Sequence, residues 1–177
     1  MDIDQLNEIA IRMTAPGKGI LAADESTGTI GKRFASIGLE NTPDNRRDWR
    51  EMLFRTEMAM NEHVSGVILY DETIRQSARD GTTLVQLIRN AGAIPGIKVD
   101  TGAKALAGAE GETVTEGLDG LRDRLADYYE LGARFAKWRA VINIGQNGDD
   151  SVPSQYCINV NMHALARYAA LCQEANI

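Results

Sequence analysis

Apolar residues recur along this chain at two spacings, one typical of helices and one typical of buried strands. Near the N-terminus the helical spacing predicts a first helix, with Asp2 or Asp4 as its cap and Pro16 as its end. The apolar residues on its inner face are Leu6, Ile9, Ala10 and Met13. The apolar run 20–23 then predicts a short strand, because it follows a Pro/Gly break and leads straight into polar residues.

The same two patterns repeat to the end of the chain. Helices are predicted at residues 29–36, 43–56, 84–91, 118–131 and 158–172. Strands are predicted at residues 66–70, 97–100 and 135–142. A long glycine-rich loop is predicted at residues 102–117, and loops of this length in compact domains are usually functional. On the helix that begins at Pro43, the residues expected to share the inner face are Trp49, Met52, Leu53 and Thr56.

Strands that alternate with helices at intervals of about 30 to 45 residues indicate an α/β fold with a parallel sheet. Two layouts fit this order: part of a (β/α) barrel, which normally needs about 250 residues, and a small doubly wound sheet. The chain has 177 residues. The barrel is favoured, because the predicted strands carry charged residues that must point inward, whereas the strands of a doubly wound sheet are mostly apolar.

The composition is that of an ordinary globular protein, and it narrows the possible ligands. Hydrophobic residues make up 44% of the chain, and the formal net charge is −6. An acidic chain offers no basic surface to nucleic acid or to an anionic membrane, so an anionic ligand needs a local cluster of cations. The acidic N-terminus lacks the features of a signal peptide, and no apolar run reaches membrane length, which favours the cytoplasm.

The cysteines and histidines favour packing over metal chemistry. Cys157 and Cys172 lie on one predicted helix, which suits two reduced and partly buried thiols better than a disulfide. His63 and His163 lie far apart and lack the spacing of metal ligands, so no metal or cofactor is expected.

Charged residues occupy alternate positions in two of the predicted strands. Lys98 and Asp100 share one face of the third strand, because side chains alternate along a strand. Lys137 and Arg139 share one face of the fourth strand in the same way. Their neighbours are expected to pack against helices, so the charged residues face the interior, where each needs a partner, water or a ligand. One interpretation is an internal network of ion pairs, for example Lys98 with Asp100 or Asp24.

The other interpretation is a pocket for an anionic substrate. Asp24 follows the first strand at the edge where parallel α/β proteins place their chemistry, although an aspartate there is also a good helix cap. Residues 26–29 at a helix start offer hydroxyls and free N–H groups, which is the usual anion-binding arrangement. Lysine and arginine from two strands suit phosphate. A phosphorylated small molecule is therefore the predicted ligand.

Four of these stretches together resemble class I fructose-bisphosphate aldolases. Residues 15–28, 66–69, 96–100 and 135–139 match motifs of that family in order and with similar spacing, and the match extends from Ile9 to Cys172. The resemblance implies a (β/α)8 TIM barrel, of which residues 1–177 hold the first strand–helix units as half of one domain. It also implies cleavage of fructose 1,6-bisphosphate to dihydroxyacetone phosphate and glyceraldehyde 3-phosphate through a lysine Schiff base, without a metal.

The resemblance also implies roles for individual residues. Asp24 matches the family's acid at the C4 hydroxyl of the substrate, and Lys98 and Lys137 match its two auxiliary active-site lysines. Thr29 stands where many relatives have serine, and it keeps the hydroxyl. The other residues at positions that the family uses around the substrate phosphates are Ser26, Arg33, Arg46 and Arg139.

The family's Schiff-base lysine, the glutamates of its fifth strand and its second phosphate site would all lie after Ile177, because relatives are much longer. We therefore expect this chain to be the N-terminal half of an aldolase, to hold no Schiff-base lysine and to be inactive alone. The family implies a homotetramer for the whole protein. The alternative is a non-catalytic half-barrel that binds sugar phosphates or protein partners.

Overall fold

The computed structural model describes residues 1–148 and 150–177 and shows a sheet covered on one face by helices. The strands are β1 (Gly19–Ala23), β2 (Val64–Leu69), β3 (Ile94–Lys98), β4 (Gly102–Ala105), β5 (Thr113–Glu116), β6 (Phe135–Lys137), β7 (Gly145–Asn147) and β8 (Asp150–Val152). The helices are α1 (Ile3–Met13), α2 (Thr27–Ala35), α3 (Pro43–Phe54), α4 (Asp71–Ile74), α5 (Leu84–Asn90), α6 (Leu121–Glu130) and α7 (Gln155–Glu174), with one π-helical turn at Ala59–His63.

Four strands form the central sheet in the order β1-β2-β3-β6, and all three pairings between them are parallel. Their order along the chain is also their order in space, so each connection leads to the neighbouring strand, as in a (β/α) barrel. A doubly wound sheet would instead reverse its direction at a switch point. The structure thus confirms the predicted parallel α/β fold and supports the barrel layout.

The outer face of the sheet packs against the helices and forms the apolar core. Val67 and Leu69 of β2 and Ile97 of β3 have no solvent exposure there. Ala136 and Trp138 pack against the same core. The helices contribute the fully buried side chains of Leu84, Ile88, Leu121 and Leu125. The neighbours of the charged strand residues therefore face the helices, as the alternation predicts.

The inner face of the sheet carries glycine, lysine and one aromatic ring where β3 meets β6. Gly96 and Lys98 of β3 are register partners of Phe135 and Lys137 of β6. The Phe135 ring covers Gly96, since a Cβ atom on Gly96 would lie only 2.5 Å from the ring atom Cε2. This close approach requires glycine at position 96. Because Lys98 and Lys137 are register partners, both lysines leave the sheet on the same face.

Some segments differ from the sequence prediction. β3 begins at Ile94 and includes Pro95, whereas the prediction began the strand after this proline, because proline is rare inside central strands. The predicted loop 102–117 contains an antiparallel hairpin formed by β4 and β5. The last strand of the sheet ends at Lys137, because the segment beyond it is held by hydroxyl groups of β5: Thr115 donates to the carbonyl of Arg139 at 2.7 Å.

Helix α3 begins at Pro43, as predicted, with Thr42 as its N-cap, but the side chains that it buries most deeply are not those expected. Its buried residues are Arg46, Arg50 and Phe54, four positions apart. Met52, which the prediction placed on the inner face, is 54% exposed. The prediction was wrong for Met52 and right for Leu53, which packs against the core. It missed the two arginines because their guanidinium groups find carboxylate and carbonyl partners in the interior.

Helix α7 carries both cysteines of the chain. Cys157 and Cys172 are buried free thiols, as the sequence predicts. Burial raises the pKa of Cys172 to about 12 and raises the pKa of Cys157 as well. Neither α7, which has 20 residues, nor any other helix in the described part of the chain combines the length and the apolar character needed to cross a membrane.

Candidate functional site

Asp24 lies directly after β1, at the carboxyl end of that strand. It is not the cap of the next helix. Ser26 is the N-cap of α2: its Oγ accepts the backbone N–H of Thr29 at 3.4 Å and lies 3.1 Å from the Thr29 hydroxyl. The Asp24 carboxylate therefore remains available for another partner, and its side chain is 13% exposed.

The partner of Asp24 is Lys137, with 2.8 Å between Oδ2 and Nζ. Asp24 follows β1 and Lys137 is the last residue of β6, and these are the two outer strands of the sheet. Neighbouring strands lie about 4.8 Å apart, so a flat sheet would separate the outer strands by roughly 14 Å, more than the two side chains can span. The contact therefore requires the sheet to curve toward its inner face, which is the curvature of a barrel.

Among the described residues, the Lys98 amine contacts two groups, and both belong to Asp100. Its Nζ lies 2.8 Å from the carboxylate Oδ1 and donates to the main-chain carbonyl oxygen at 2.7 Å. The same Oδ1 accepts the backbone N–H of Gly102 at 3.1 Å, whereas the buried Oδ2 has no hydrogen-bond partner among the described residues. The lysine side chains keep 19% exposure at Lys98 and 28% at Lys137.

The structure thus brings together Asp24, Lys98 and Lys137 at the carboxyl edge of the sheet. Of the ion pairs in the first interpretation, Lys98 with Asp100 is present, whereas Asp24 pairs with Lys137 instead of Lys98. The two amines are partly exposed, so a ligand can still reach them. Ammonium groups at such an edge can bind a phosphate or stabilise a developing negative charge, and a carboxylate can accept a proton from a hydroxyl. Within the described residues, no group of His, Cys, Asp and Glu is arranged to hold a metal.

The three arginines predicted to contact phosphate stand in different surroundings. Arg33 of α2 has a side chain that is 60% exposed and donates to Oε1 of Glu25 at 2.5 Å. Arg139 lies beyond β6 and is exposed. Arg46 is buried instead, with only 6% exposure. The structure therefore leaves Arg33 and Arg139 open to a ligand and encloses Arg46.

Arg46 is held by a bidentate pair with Glu72. Its Nε and Nη2 donate to the two carboxylate oxygens of Glu72 at 2.7 and 2.6 Å, and its Nη1 donates to Oδ1 of Asn41 at 2.9 Å. These hydrogen bonds lower the pKa of Glu72 and raise the pKa of Arg46. Arg46 can contact a phosphate only by exchanging some of these partners, so its substrate contact stays a prediction.

Three more charged residues surround the site, and the sequence patterns did not point to them: Glu25, Arg50 and Glu72. Glu25 and Glu72 are acids that closely follow β1 and β2, at the same edge of the sheet as Asp24. Arg50 lies four residues after Arg46 on α3 and is fully buried. A pattern in the sequence could have indicated them: an acid follows each of two strands, and two arginines lie four residues apart on one helix, where they share a face.

The curved parallel sheet, with helices outside and charged groups at its carboxyl edge, defines a protein of the (β/α)-barrel class, whose sites lie at that edge. Residues 5–177 match the family model described as fructose-bisphosphate aldolase class-I. The chain therefore belongs to the class I fructose-bisphosphate aldolase family, a family of TIM-barrel lyases.

Individual relatives agree with this assignment. A protein of Xanthomonas campestris pv. campestris named "Probable fructose-bisphosphate aldolase class 1" is 60% identical over 177 residues, covering 100% of this chain and 52% of the relative. "Fructose-bisphosphate aldolase 6, cytosolic" of Arabidopsis thaliana is 58% identical over 171 residues, covering 97% of this chain and 46% of the relative.

A solved structure is similar as well. The fructose-bisphosphate aldolase of Plasmodium falciparum, crystallised with TRAP and a small-molecule inhibitor, superposes with a TM-score of 0.90 at 43% identity. The match covers 98% of this chain and 49% of that one. The chain thus spans about half the length of the relatives that it matches.

Proposed function

We propose that residues 1–177 form half of the barrel domain of a class I fructose-bisphosphate aldolase. The whole enzyme cleaves fructose 1,6-bisphosphate reversibly to dihydroxyacetone phosphate and glyceraldehyde 3-phosphate. Its Schiff base forms on a lysine outside these residues, as the family resemblance implies. The observation that carries the proposal is the 2.8 Å contact between Asp24 and Lys137 across the curved sheet, in a chain of this family.

Asp24 acts on the C4 hydroxyl of the substrate. When the C3–C4 bond breaks, the C4 hydroxyl loses its proton and becomes the aldehyde, while the bonding electrons pass to the Schiff base at C2. A carboxylate at the edge of the site can accept this proton. The ion pair with Lys137 orients the carboxylate for that step.

Lys98 and Lys137 supply positive charge to the same site. Their amines are partly enclosed, and charge–charge interactions are stronger there than in bulk water. They therefore attract the doubly phosphorylated substrate and stabilise negative charge that develops on its oxygens during cleavage. In the free protein the carboxylates of Asp100 and Asp24 balance these two charges.

A phosphate group of the substrate binds at the first turn of α2. The hydroxyls of Ser26 and Thr29 face each other there, and the free N–H groups of the first turn attract an anion. Arg33 reaches the phosphate by leaving Glu25, since its exposed side chain can turn without loss of packing. The residues proposed for phosphate contacts are Ser26, Thr29, Arg33, Arg46 and Arg139.

The whole protein is proposed to work in the cytoplasm as a homo-oligomer, a tetramer according to the family resemblance. The name of the Arabidopsis relative, which describes that protein as cytosolic, supports the location. The net charge of −6 over these residues gives no support to nucleic acid or an anionic membrane as a partner.

The test uses a joined enzyme, in which residues 1–177 are followed by the part of the Xanthomonas relative that this chain does not cover. Release of triose phosphate is measured from fructose 1,6-bisphosphate and from fructose 1-phosphate. Lys137→Met is compared with Lys104→Met, a matched control at an exposed lysine of β4. We expect cleavage by the joined enzyme, a loss of at least about 100-fold in Lys137→Met, and less than about a twofold change in the control.

The non-catalytic alternative predicts binding of the sugar bisphosphate without cleavage. Borohydride with dihydroxyacetone phosphate distinguishes the two, because it labels only an enzyme that forms a Schiff base. Labelling together with triose phosphate release supports the proposal. A folded joined enzyme that binds the bisphosphate without label or cleavage would overturn it, and so would a Lys137→Met variant with the parent rate.

A further inference from the structure

Arg50 holds the main chain on both sides of Asp24. Its Nε donates to the carbonyl of Ala23 at 3.2 Å, and its Nη2 donates to the carbonyl of Glu25 at 2.7 Å. The planar guanidinium thus bridges the residue before Asp24 and the residue after it. Because the two bonds share one rigid group, they restrict the direction in which the Asp24 side chain leaves the backbone.

The complete burial of Arg50 desolvates its charge, which carries a cost. Its side chain has no solvent exposure, and Nη1 has no hydrogen-bond partner among the described residues. Two carboxylates face it at longer range, with 3.9 Å to Glu25 and 4.0 Å to Glu72. A methionine would avoid the cost of desolvating a charge, but it would leave the two carbonyls and the two carboxylates without their cation. What the guanidinium adds is the directed pair of hydrogen bonds to the segment that carries Asp24.

Helix α3 gives Arg50 a rigid base. Arg46 lies one turn earlier on the helix and is held by its bidentate pair with Glu72. The Phe54 side chain, one turn later, is buried in the core with 3% exposure. Both neighbours therefore fix the helix face from which Arg50 reaches the end of β1, and this connects the core of the fold to the candidate site.

We propose that Arg50 is a positioning residue that keeps the Asp24 carboxylate in contact with the Lys137 amine. This inference rests on the proposed aldolase function, because it assumes that the pair acts in carbon–carbon cleavage. A displacement of about 1 Å in a reacting group can cost a hundredfold in rate. Loss of the two carbonyl contacts should therefore slow the cleavage step more than it weakens substrate binding.

The joined enzyme tests this with Arg50→Lys, which keeps the charge but loses the planar fork, and with Arg50→Met, which loses both. The matched control is Arg47→Met on the same helix, where the guanidinium binds Asp44 and Asp48 instead of the site. The measurements are kcat and KM for fructose 1,6-bisphosphate and borohydride trapping with dihydroxyacetone phosphate. That three-carbon substrate has no C4 hydroxyl, so its trapping does not need Asp24.

We expect Arg50→Lys to lower kcat by about 10- to 100-fold with KM within about threefold of the parent, and Arg50→Met to lower kcat further. Trapping stays near the parent level in Arg50→Lys, and Arg47→Met stays within about twofold in kcat. A purely structural role would lower trapping and kcat together, and that result overturns the proposal. If Arg50→Met does not fold, the kcat and trapping results for Arg50→Lys alone test the positioning role.

A crystal structure of Arg50→Lys separates this inference from the proposed function. We expect the distance from Asp24 Oδ2 to Lys137 Nζ to lengthen beyond hydrogen-bond range, whether or not the parent cleaves the bisphosphate. An unchanged distance of 2.8 Å, as in the parent, would refute the positioning role. An inactive parent would instead refute the aldolase function, and the distance would still decide the role of Arg50.

Discussion

Replacing Gly96 by alanine tests how the packing of the sheet supports the candidate site. Gly96 lies under the ring of Phe135, and an added Cβ atom would lie only 2.5 Å from Cε2 of that ring. Carbon atoms pack well at about 3.5 to 4.0 Å, so the ring must move by about 1 Å. The ring is largely enclosed, since Phe135 is only 8% exposed.

The expected cost follows from this crowding. Overpacking of a core typically costs about 1–3 kcal/mol, and a clash with an enclosed aromatic ring belongs at the upper end, so Gly96→Ala should lose about 3 kcal/mol. Gly66→Ala should lose about 1 kcal/mol, since its added Cβ atom would lie 3.0 Å from another atom of the same ring, a less severe contact. Gly19→Ala in β1 is the matched control: no atom lies within 4 Å of its added Cβ, and its effect should stay within about 0.5 kcal/mol.

Urea unfolding of the joined enzyme measures this series, with kcat determined on the folded fraction. The activity should fall along with the stability in Gly96→Ala, because Phe135 precedes Lys137 by one strand repeat and a displaced ring shifts β6. Combining Gly96→Ala with Phe135→Val should cost less than the sum of the two single changes, since the smaller side chain makes room for the methyl group. If Gly96→Ala unfolded no more easily than Gly19→Ala, the packing described for the inner face would be wrong.

Two further predictions concern buried ionisable groups. Glu72→Gln should cost about 2–3 kcal/mol at pH 7, because it breaks the bidentate pair with the buried Arg46. The pKa of Glu72 is lowered in the folded protein, so the ion pair stabilises the folded state at pH values above the ordinary pKa of a glutamate. This stabilisation is lost as the pH falls and the carboxylate is protonated. The urea midpoints of parent and variant should therefore converge as the pH falls through the lowered pKa of Glu72. Burial raises the pKa of Cys172 to about 12 and shields the thiol from reagents, so at pH 8 iodoacetamide should label it at least about 100-fold more slowly in the folded than in the unfolded protein. Equal labelling rates, or urea midpoints that stay apart in acid, would contradict these expectations.

The regular elements were predictable because local patterns determine them. The apolar run 20–23 lies within β1, and the Thr42–Pro43 pair marks the start of α3. Alternation along the strands also predicts correctly that Lys98 and Lys137 leave the sheet on one face. Each of these features depends on residues within a few positions of one another, which is the range that hydrophobic spacing and capping rules describe.

The contacts within the site depend on distant parts of the chain. Asp24 and Lys137 are 113 positions apart, and they meet only because the sheet curves, which no spacing rule encodes. Arg50 was missed for a different reason: arginine is rarely fully buried, so a pattern-based reading places it on the surface. The family resemblance identified the candidate catalytic residues, whereas only the structure shows which other residues contact and position them.

The most direct test of the account is a double-mutant cycle on Asp24 and Lys137 in the joined enzyme. Asp24→Asn and Lys137→Met are each expected to lower kcat/KM for fructose 1,6-bisphosphate by at least about 100-fold. If the two residues act as one unit, the double variant should lie within about threefold of the slower single variant, because either change alone already breaks the unit. A double variant whose loss equals the product of the two single losses would show that the residues act independently, and the account would be wrong.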